Sequence, residues 1–149
     1  TLGIRMHRHV ENTRRIVEFL NQHEQVSRVG YPELEGHPDQ ALASALLPKG
    51  CSAVFSFDLV GDREAGITFV DALNLFSHLA NVGDAKSLVI HPASTTHHRM
   101  DAAALAAGGI GEGTIRLSIG LEDAKDLIAD LKQGLRAAGK VAAKQSVTP

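Results

Sequence analysis

Cysteine is nearly absent from this sequence, which contains only Cys51 among its 149 residues. A single cysteine excludes an internal disulfide framework and is typical of a reducing compartment, so we expect a cytoplasmic protein. Long apolar runs are also missing, since none approaches the roughly 20 residues that span a membrane. The formal net charge of −2 lacks the excess of lysine and arginine that nucleic-acid binders carry. We therefore expect neither a membrane nor a nucleic-acid partner.

The chain also lacks repeats, low-complexity blocks and an initial methionine. It opens with "TLGIRMHRHVENTRR", which has neither the basic start nor the apolar run of a secretory signal. Because this opening has the pattern of the interior of a helix, we interpret the chain as a piece of a longer protein. Its length and its 44% content of hydrophobic residues suit a single folded domain.

Hydrophobic spacing predicts helices and short strands in an α+β (α/β layer) domain, whose sheet is covered on one face by helices. The first helix ends near "NQHE", and the predicted tail is loose. The other predicted helices are "GHPDQALASALL", with Ala41, Leu42, Ala45 and Leu46 on one side, "DREAGITFVDALNLFSHL", "MDAAALAAG" and "LEDAKDLIADLKQGLRAAG". The predicted extended segments are "VSRVGYP", "SAVFSFDLVG", "ANVG", "KSLVIHP" and "TIRLSIG".

The segment "SLVIHPASTTHHRM" concentrates hydroxyl groups and histidines directly after an apolar run. A zinc site using His91 and His97 would need further ligands, and no cysteine cluster or His-Glu helix motif supplies them. A nucleophile formed by Ser94 with His97 or His98 lacks the strained turn of a serine hydrolase. We expect neither site, and we expect Cys51 to be a small buried residue. The arginines of the first helix are predicted to face solvent or another subunit.

Arg116 lies on the polar side of the otherwise apolar strand "TIRLSIG", between Thr114 and Ser118. A guanidinium at such a position is either an ordinary surface ion pair or a bidentate clamp for a carboxylate. Composition alone favours the surface ion pair, because charged side chains are mostly exposed.

Two long stretches, "SHLANVGDAKSLVIHPASTTHHRM" and "IRLSIGLEDAKDLIADLKQGL", resemble the C-terminal domain of the Cys/Met-metabolism family of pyridoxal-phosphate enzymes. Within this family the similarity is greatest to the sulfhydrylases that use O-acetylhomoserine. The stretches "LGIRMHRHVEN", "FLNQHEQVSRVGYPELEGHPDQALA" and "LLPKGCSAVFSFDL" fit the same pattern in the same order. The resemblance implies a small, mostly antiparallel sheet. It also implies a C-terminal substrate-binding domain over 1–139, a linking or interface helix over 1–24 and a loose tail over 140–149.

The resemblance further implies a pyridoxal-phosphate-dependent homotetramer that makes homocysteine from O-acetylhomoserine and sulfide by γ-replacement, a step of methionine biosynthesis. It implies that Arg116 binds the substrate α-carboxylate and that Ser87 lies beside the substrate. It also implies that Thr96, before His97, lines the site. The residue before Ser87 is Lys86, where relatives that handle cystathionine often carry a glutamate for a distal ammonium group. A lysine there favours sulfide or a small thiol as the acceptor.

The family's imine-forming lysine belongs to a Ser-x-Thr-Lys motif of an N-terminal domain, and no lysine of this chain stands in that context. We therefore expect no catalytic, cofactor-binding or metal-binding residue here, and we expect the chain alone to be folded but inactive. The remaining alternatives are a cystathionine γ-synthase or lyase, an O-succinylhomoserine sulfhydrylase, and a small α/β ligand-binding module without catalysis.

Overall fold

A computed structural model describes residues 1–145. The helices are α1 (Leu2–Asn21), α2 (Gln40–Leu46), α3 (Arg63–Asp71), α4 (Ala102–Ala107) and α5 (Ala124–Gln145). The strands are β1 (Val26–Gly30), β2 (Val54–Leu59), β3 (Ser77–His78), β4 (Leu88–Ile90) and β5 (Thr114–Ser118), and a 3-10 turn covers Pro92–Ser94. No helix in the described part of the chain is both long and apolar enough to cross a membrane.

The five strands form one sheet in the order β1-β2-β5-β4-β3. The pairs β1–β2, β2–β5 and β5–β4 are antiparallel, and only β3 and β4 run parallel. The mostly antiparallel α+β sheet expected from the sequence is therefore confirmed.

The hydrophobic core lies between the sheet and the helices α1, α3 and α5. Alternation along β2 and β5 sends Phe57 and Leu117 into this core, where they are almost fully buried. Phe57 packs edge-to-face on Phe69 of α3, with the ring centroids 5.7 Å apart. The same alternation leaves the polar side chains of β2 and β5 on the opposite face of the sheet.

Helix α3 is shorter than its sequence pattern predicts, because it ends at Asp71 instead of continuing towards Leu79. The carboxylate of Asp130 on α5 accepts the backbone amides of Asn74, Leu75 and Phe76 at 2.9, 2.9 and 3.2 Å. These amides are therefore held by a side chain of another helix instead of by helical carbonyls. Helix α3 therefore ends before these residues, and the chain turns into β3.

Two other helices differ from what their sequence patterns indicate. Leu42 and Leu46, on the predicted apolar side of α2, are 58% and 69% exposed, and Ala43 is the buried residue of that helix. Helix α5 continues to Gln145, past the predicted end at Gly139, so 140–145 are not a loose tail. The remaining predicted tail, 146–149, lies outside the described residues.

Candidate substrate pocket

A pocket of about 530 Å³ opens on the polar face of the sheet. Its floor is formed by β2, β4 and β5, and its walls come from the β3–β4 loop, the turn after β4 and the segment after α4. The lining residues are Val54, Phe55, Ser56, Ala80, Ile90, Pro92, Thr96, His97, Gly109, Ile110, Thr114 and Arg116. The glycine-rich segment between α4 and β5 supplies part of this wall through Gly109 and Ile110.

Arg116 lies at the centre of β5, with Ser56 of β2 and Ile90 of β4 as its cross-strand neighbours. Its side chain is partly buried and reaches the backbone carbonyl of Asn81 over 3.4 Å, a long and therefore weak hydrogen bond. Within residues 1–145, no carboxylate forms an ion pair with Arg116. A permanently charged, forked donor in the pocket is thus largely available to an anionic ligand.

Asp58, an acidic residue on the same face of the sheet, is already engaged. Asp58 of β2 pairs with Arg28 at 3.0 Å and accepts the Thr114 hydroxyl at 2.5 Å. The Thr114 oxygen in turn accepts the amide of Gly111 at 2.8 Å. This chain of contacts neutralises the carboxylate locally, so the pocket keeps the positive charge of Arg116.

Thr96 and His97 line the wall that the turn after β4 contributes to the pocket. The turn that carries them is fixed by Pro92, whose carbonyl accepts the amide of His97 at 2.9 Å. The Thr96 hydroxyl and His97 Nδ1 are hydrogen-bonded at 2.8 Å. The structure therefore brings Arg116 and Thr96, two of the sequence-predicted site residues, to one pocket.

Ser87 and Lys86 are not among the residues that line this pocket. Ser87 is fully buried, and its hydroxyl donates to Glu122 at 2.9 Å and accepts the amide of Gly120 at 2.8 Å. Lys86 is exposed, and its amide donates to Asp84 at 3.0 Å. Contact of Ser87 or Lys86 with substrate stays a prediction.

His91 is buried between the 3-10 turn and α3. Its Nε2 lies 2.6 Å from the Glu112 carbonyl, which can only accept, so Nε2 carries the proton and Nδ1 accepts the Ser94 hydroxyl at 2.8 Å. Burial lowers the pKa of His91, and the nearby charges of Arg63 and His78 lower it further. The ring is therefore neutral near pH 7, and both of its nitrogens are occupied by structural contacts.

The other two histidines of the segment make separate local bonds. Ser94 bonds to His91 and not to His97 or His98. His98 Nδ1 lies 2.8 Å from the Thr95 carbonyl. Among residues 1–145 no group of three or more histidine, cysteine or acidic residues is placed to hold a metal ion.

Cys51 and Arg14 belong to a second polar cluster, whose members are not among the residues that line this pocket. Glu33 accepts Arg14 Nε at 2.6 Å and the Cys51 amide at 2.8 Å. Burial raises the pKa of the Cys51 thiol, and the charge of Glu33 adds to this effect. Cys51 is accordingly a buried, protonated thiol, and Arg14 forms an ion pair instead of being free in solvent.

Two features of the pocket were not predicted from the sequence. One is the carbonyl of Asn81, the hydrogen-bond partner of Arg116, and the other is the apolar wall formed by Ile90 and Ile110. A backbone carbonyl leaves no signature in residue type, so no pattern could have identified Asn81. The sequence indicated Ile90 only as a member of the extended segment "KSLVIHP".

The family described as "Cys/Met metabolism PLP-dependent enzyme" matches residues 1–136. The chain is 44% identical over 137 residues to O-acetyl-L-homoserine sulfhydrylase of Corynebacterium glutamicum, covering 92% of this chain and 31% of that protein. It is 46% identical over 135 residues to L-methionine gamma-lyase of Fusobacterium nucleatum, covering 91% of this chain and 34% of that protein. The chain thus spans about a third of the length of these relatives.

Among solved structures, the chain is similar to cystathionine gamma synthase from Xanthomonas oryzae in complex with aminoacrylate and cysteine. The TM-score is 0.83 at 45% identity, covering 93% of this chain and 35% of that one. The two structures therefore share the arrangement of the sheet and its helices.

The described residues do not by themselves fit pyridoxal phosphate. None of the lysines in residues 1–145 is among the lining residues of the pocket, so this chain offers no amine there for an imine. What the pocket offers is a cation, hydroxyl groups and an apolar wall, which suit an amino-acid substrate.

Proposed function

The chain belongs to the Cys/Met-metabolism family of pyridoxal-phosphate-dependent enzymes, and from that we propose that it is the substrate-binding part of an O-acetylhomoserine sulfhydrylase. In this proposal residues 1–139 form the C-terminal domain, and the remainder of the enzyme, a homotetramer, holds the cofactor. The net reaction joins sulfide to Cγ of O-acetylhomoserine, releases acetate from the same carbon and yields homocysteine. The observation that carries the proposal is the guanidinium of Arg116, which has no ion pair in the described chain and faces the pocket.

Arg116 is the proposed clamp for the α-carboxylate of the substrate. Its two terminal nitrogens match the two oxygens of a carboxylate, and the long bond to Asn81 is readily exchanged for a charge-assisted pair. The strand holds the base of the side chain rigidly between β2 and β4, which limits the entropy lost on binding. The clamp thus fixes one end of the substrate and so orients the rest of it.

Thr96 and Ile90 have complementary proposed roles at the same site. The Thr96 hydroxyl can donate to a polar group of the substrate once its bond to His97 is exchanged. Ile90 and Ile110 present an apolar surface beside Arg116, which excludes water and strengthens the carboxylate pair. In this proposal Ser87 lies beside the substrate in the full-length enzyme, with its hydroxyl held by Glu122.

The charge of the pocket supports sulfide as the acceptor. No acidic residue is among the lining residues that this chain contributes, so it offers no partner for the ammonium group of cysteine. A small acceptor without an ammonium group needs no such partner. The cystathionine-forming alternative is therefore the weaker candidate.

A second candidate function is γ-elimination from methionine, because a methionine gamma-lyase is 46% identical to this chain. The proposed carboxylate clamp would serve that reaction equally well, since both substrates are α-amino acids. The two candidates differ in what happens at Cγ: an incoming sulfide replaces acetate in one, and methanethiol leaves without replacement in the other.

The test is a comparison of specificity constants in the full-length enzyme that contains this chain. We expect kcat/KM for O-acetylhomoserine with sulfide to exceed that for methionine breakdown and that for O-acetylhomoserine with cysteine. The 149-residue chain assayed alone is the matched control, and we expect it to show no turnover. Preferential release of methanethiol from methionine would establish the second candidate, and a preference for cysteine would establish cystathionine synthesis.

A further inference from the structure

The β3–β4 loop, residues 79–87, is the part of the chain that touches the guanidinium of Arg116. Asn81 in this loop provides the carbonyl that receives Arg116 Nη2, and Ala80 lines the pocket. Arg116 starts from a rigid strand, but its long side chain is directed by what surrounds its end. The position of the loop therefore sets which direction of the fork of Arg116 the Asn81 carbonyl favours.

The C-terminal end of this loop is fastened to the segment after β5. The Ser87 amide and hydroxyl both donate to the carboxylate of Glu122, at 2.7 and 2.9 Å. The Leu121 amide donates to the Ala85 carbonyl at 2.9 Å. A Cβ at Gly120 would lie 2.4 Å from that carbonyl, so the two segments are in close backbone contact. This anchor fixes residues 85–87 but leaves the tip of the loop to be held elsewhere.

The tip of the loop is held by a side chain 78 residues away. Arg5 of α1 donates Nη2 to the carbonyl of Gly83 at 2.7 Å. Gly83 has a φ of +74°, and a Cβ there would meet nothing within 4 Å, so its own surroundings do not confine it. Arg5 is thus the contact, among those described, that ties the tip to the helical layer.

Helix α1 is itself fixed to the end of β5, so Arg5 acts from a rigid base. Asn12 donates to the carbonyls of Gly120 and Glu122 at 3.0 and 2.8 Å, and His9 Nδ1 lies 2.6 Å from the carbonyl of Ile119. Both side chains are almost fully buried. The helix, the strand end and the loop therefore form one connected unit around Arg116.

We propose that Arg5 is a positioning residue for substrate binding, which holds the tip of the β3–β4 loop so that Asn81 directs Arg116 into the pocket. The inference rests on the proposed function of Arg116, and it assigns a role in substrate binding to α1, whose arginines were expected to face solvent or another subunit. Without Arg5, the tip moves away from β5, and the fork of Arg116 must be ordered by the substrate itself. The free energy needed to order this side chain weakens binding of the carboxylate and leaves the chemical step unchanged.

The first test measures the loop directly, by amide hydrogen exchange of the 149-residue chain with Arg5→Met. We expect peptides covering residues 79–87 to exchange about three- to ten-fold faster, because loss of one hydrogen bond of ordinary strength favours local opening by about this factor. Arg8→Met is the matched control, because Arg8 lies one turn later on α1 and bonds only to Glu11 of the same helix. Equal exchange of the loop in both variants would overturn the proposal.

The second test uses steady-state kinetics of the full-length enzyme. We expect Arg5→Met to raise KM for O-acetylhomoserine about three- to ten-fold with kcat nearly unchanged, because the same binding is lost from ground state and transition state. Arg5→Lys, which can still reach a carbonyl, should recover part of the loss. A fall in kcat at unchanged KM would indicate general destabilisation and would contradict the proposal.

Arg116→Ala in the same assay separates the two proposals. If Arg116→Ala is impaired and Arg5→Met is not, the positioning role is wrong and the carboxylate clamp stands. If Arg116→Ala behaves as the wild type, the clamp itself is wrong, and the positioning role fails with it.

Discussion

Replacing Asp130 with asparagine removes the side-chain acceptor that ends α3 and directs the chain into β3. The carboxylate accepts three backbone amides and is only 9% exposed. A hydrogen bond to a charged group contributes about 1.5–3 kcal/mol, and asparagine keeps one acceptor oxygen while turning an NH₂ group towards an amide N–H. Because at least one hydrogen bond is lost and the new NH₂ group faces a backbone N–H donor, we expect the free energy of unfolding to fall by about 3 kcal/mol.

For a chain of this length a loss of that size corresponds to a fall in Tm of about 6–12 °C. The assay is thermal and urea unfolding of the 149-residue chain. Asp126→Asn is the matched control, since Asp126 is an exposed residue in the first turn of the same helix. It should lose less than about 1 kcal/mol of helix-dipole stabilisation. Equal Tm values for the two variants would refute the assignment of the α3 terminus to Asp130.

Three further predictions concern packing, pH and the acceptor. Gly66→Ala places a Cβ 2.4 Å from the ring of His91 and should lower the free energy of unfolding in urea by about 1–3 kcal/mol. Gly3→Ala, whose Cβ would meet nothing within 4 Å, should be neutral or stabilising. Equal effects of the two substitutions would contradict the contact between Gly66 and His91. Burial lowers the pKa of His91 in the folded chain, so as the pH falls the unfolded chain binds a proton at a higher pH than the folded chain does. The stability that is present above about pH 6.5 is therefore lost as the pH falls below this value. This loss, followed as Tm against pH, should shrink in His91→Gln, and an unchanged profile would exclude His91 as its source. Lys86→Glu in the full-length enzyme should raise kcat/KM with cysteine relative to sulfide by about five-fold, the factor that corresponds to about 1 kcal/mol between close charges; an unchanged ratio would remove Lys86 from acceptor choice.

Local patterns predicted those elements whose side chains follow one period throughout. The sequence of strand β5 alternates without interruption, so it places Arg116 on the face opposite Leu117. Helix α1 kept its three- and four-residue spacing and was confirmed as Leu2–Asn21. The choice between a surface ion pair and a carboxylate clamp could not be made from this pattern, and only the family resemblance favoured the clamp.

Contacts distant in sequence account for what the patterns missed. The early end of α3 depends on Asp130, which lies 56 residues beyond Asn74. The hydroxyl of Ser87 is occupied by Glu122, 35 residues away, which gives it a buried structural bond instead of a place on the pocket wall. The apolar residues of α2 had the spacing of a buried face, yet Leu42 and Leu46 are exposed because no described element packs over them. Periodicity indicates that a face is apolar, but it does not supply the surface that covers it.

The carboxylate clamp at Arg116 is the central claim, and its direct measurement is kcat/KM for O-acetylhomoserine in the full-length enzyme with Arg116→Ala. Loss of a bidentate charged pair in a partly dry pocket should cost about 2–4 kcal/mol, which corresponds to a fall of about thirty- to a thousand-fold. Arg116→Lys keeps the charge without the fork and should recover only part of that loss. Both variants should unfold near the wild-type temperature, since the side chain points away from the core. Near-normal kcat/KM for Arg116→Ala would show that Arg116 is an ordinary surface residue and would contradict the account.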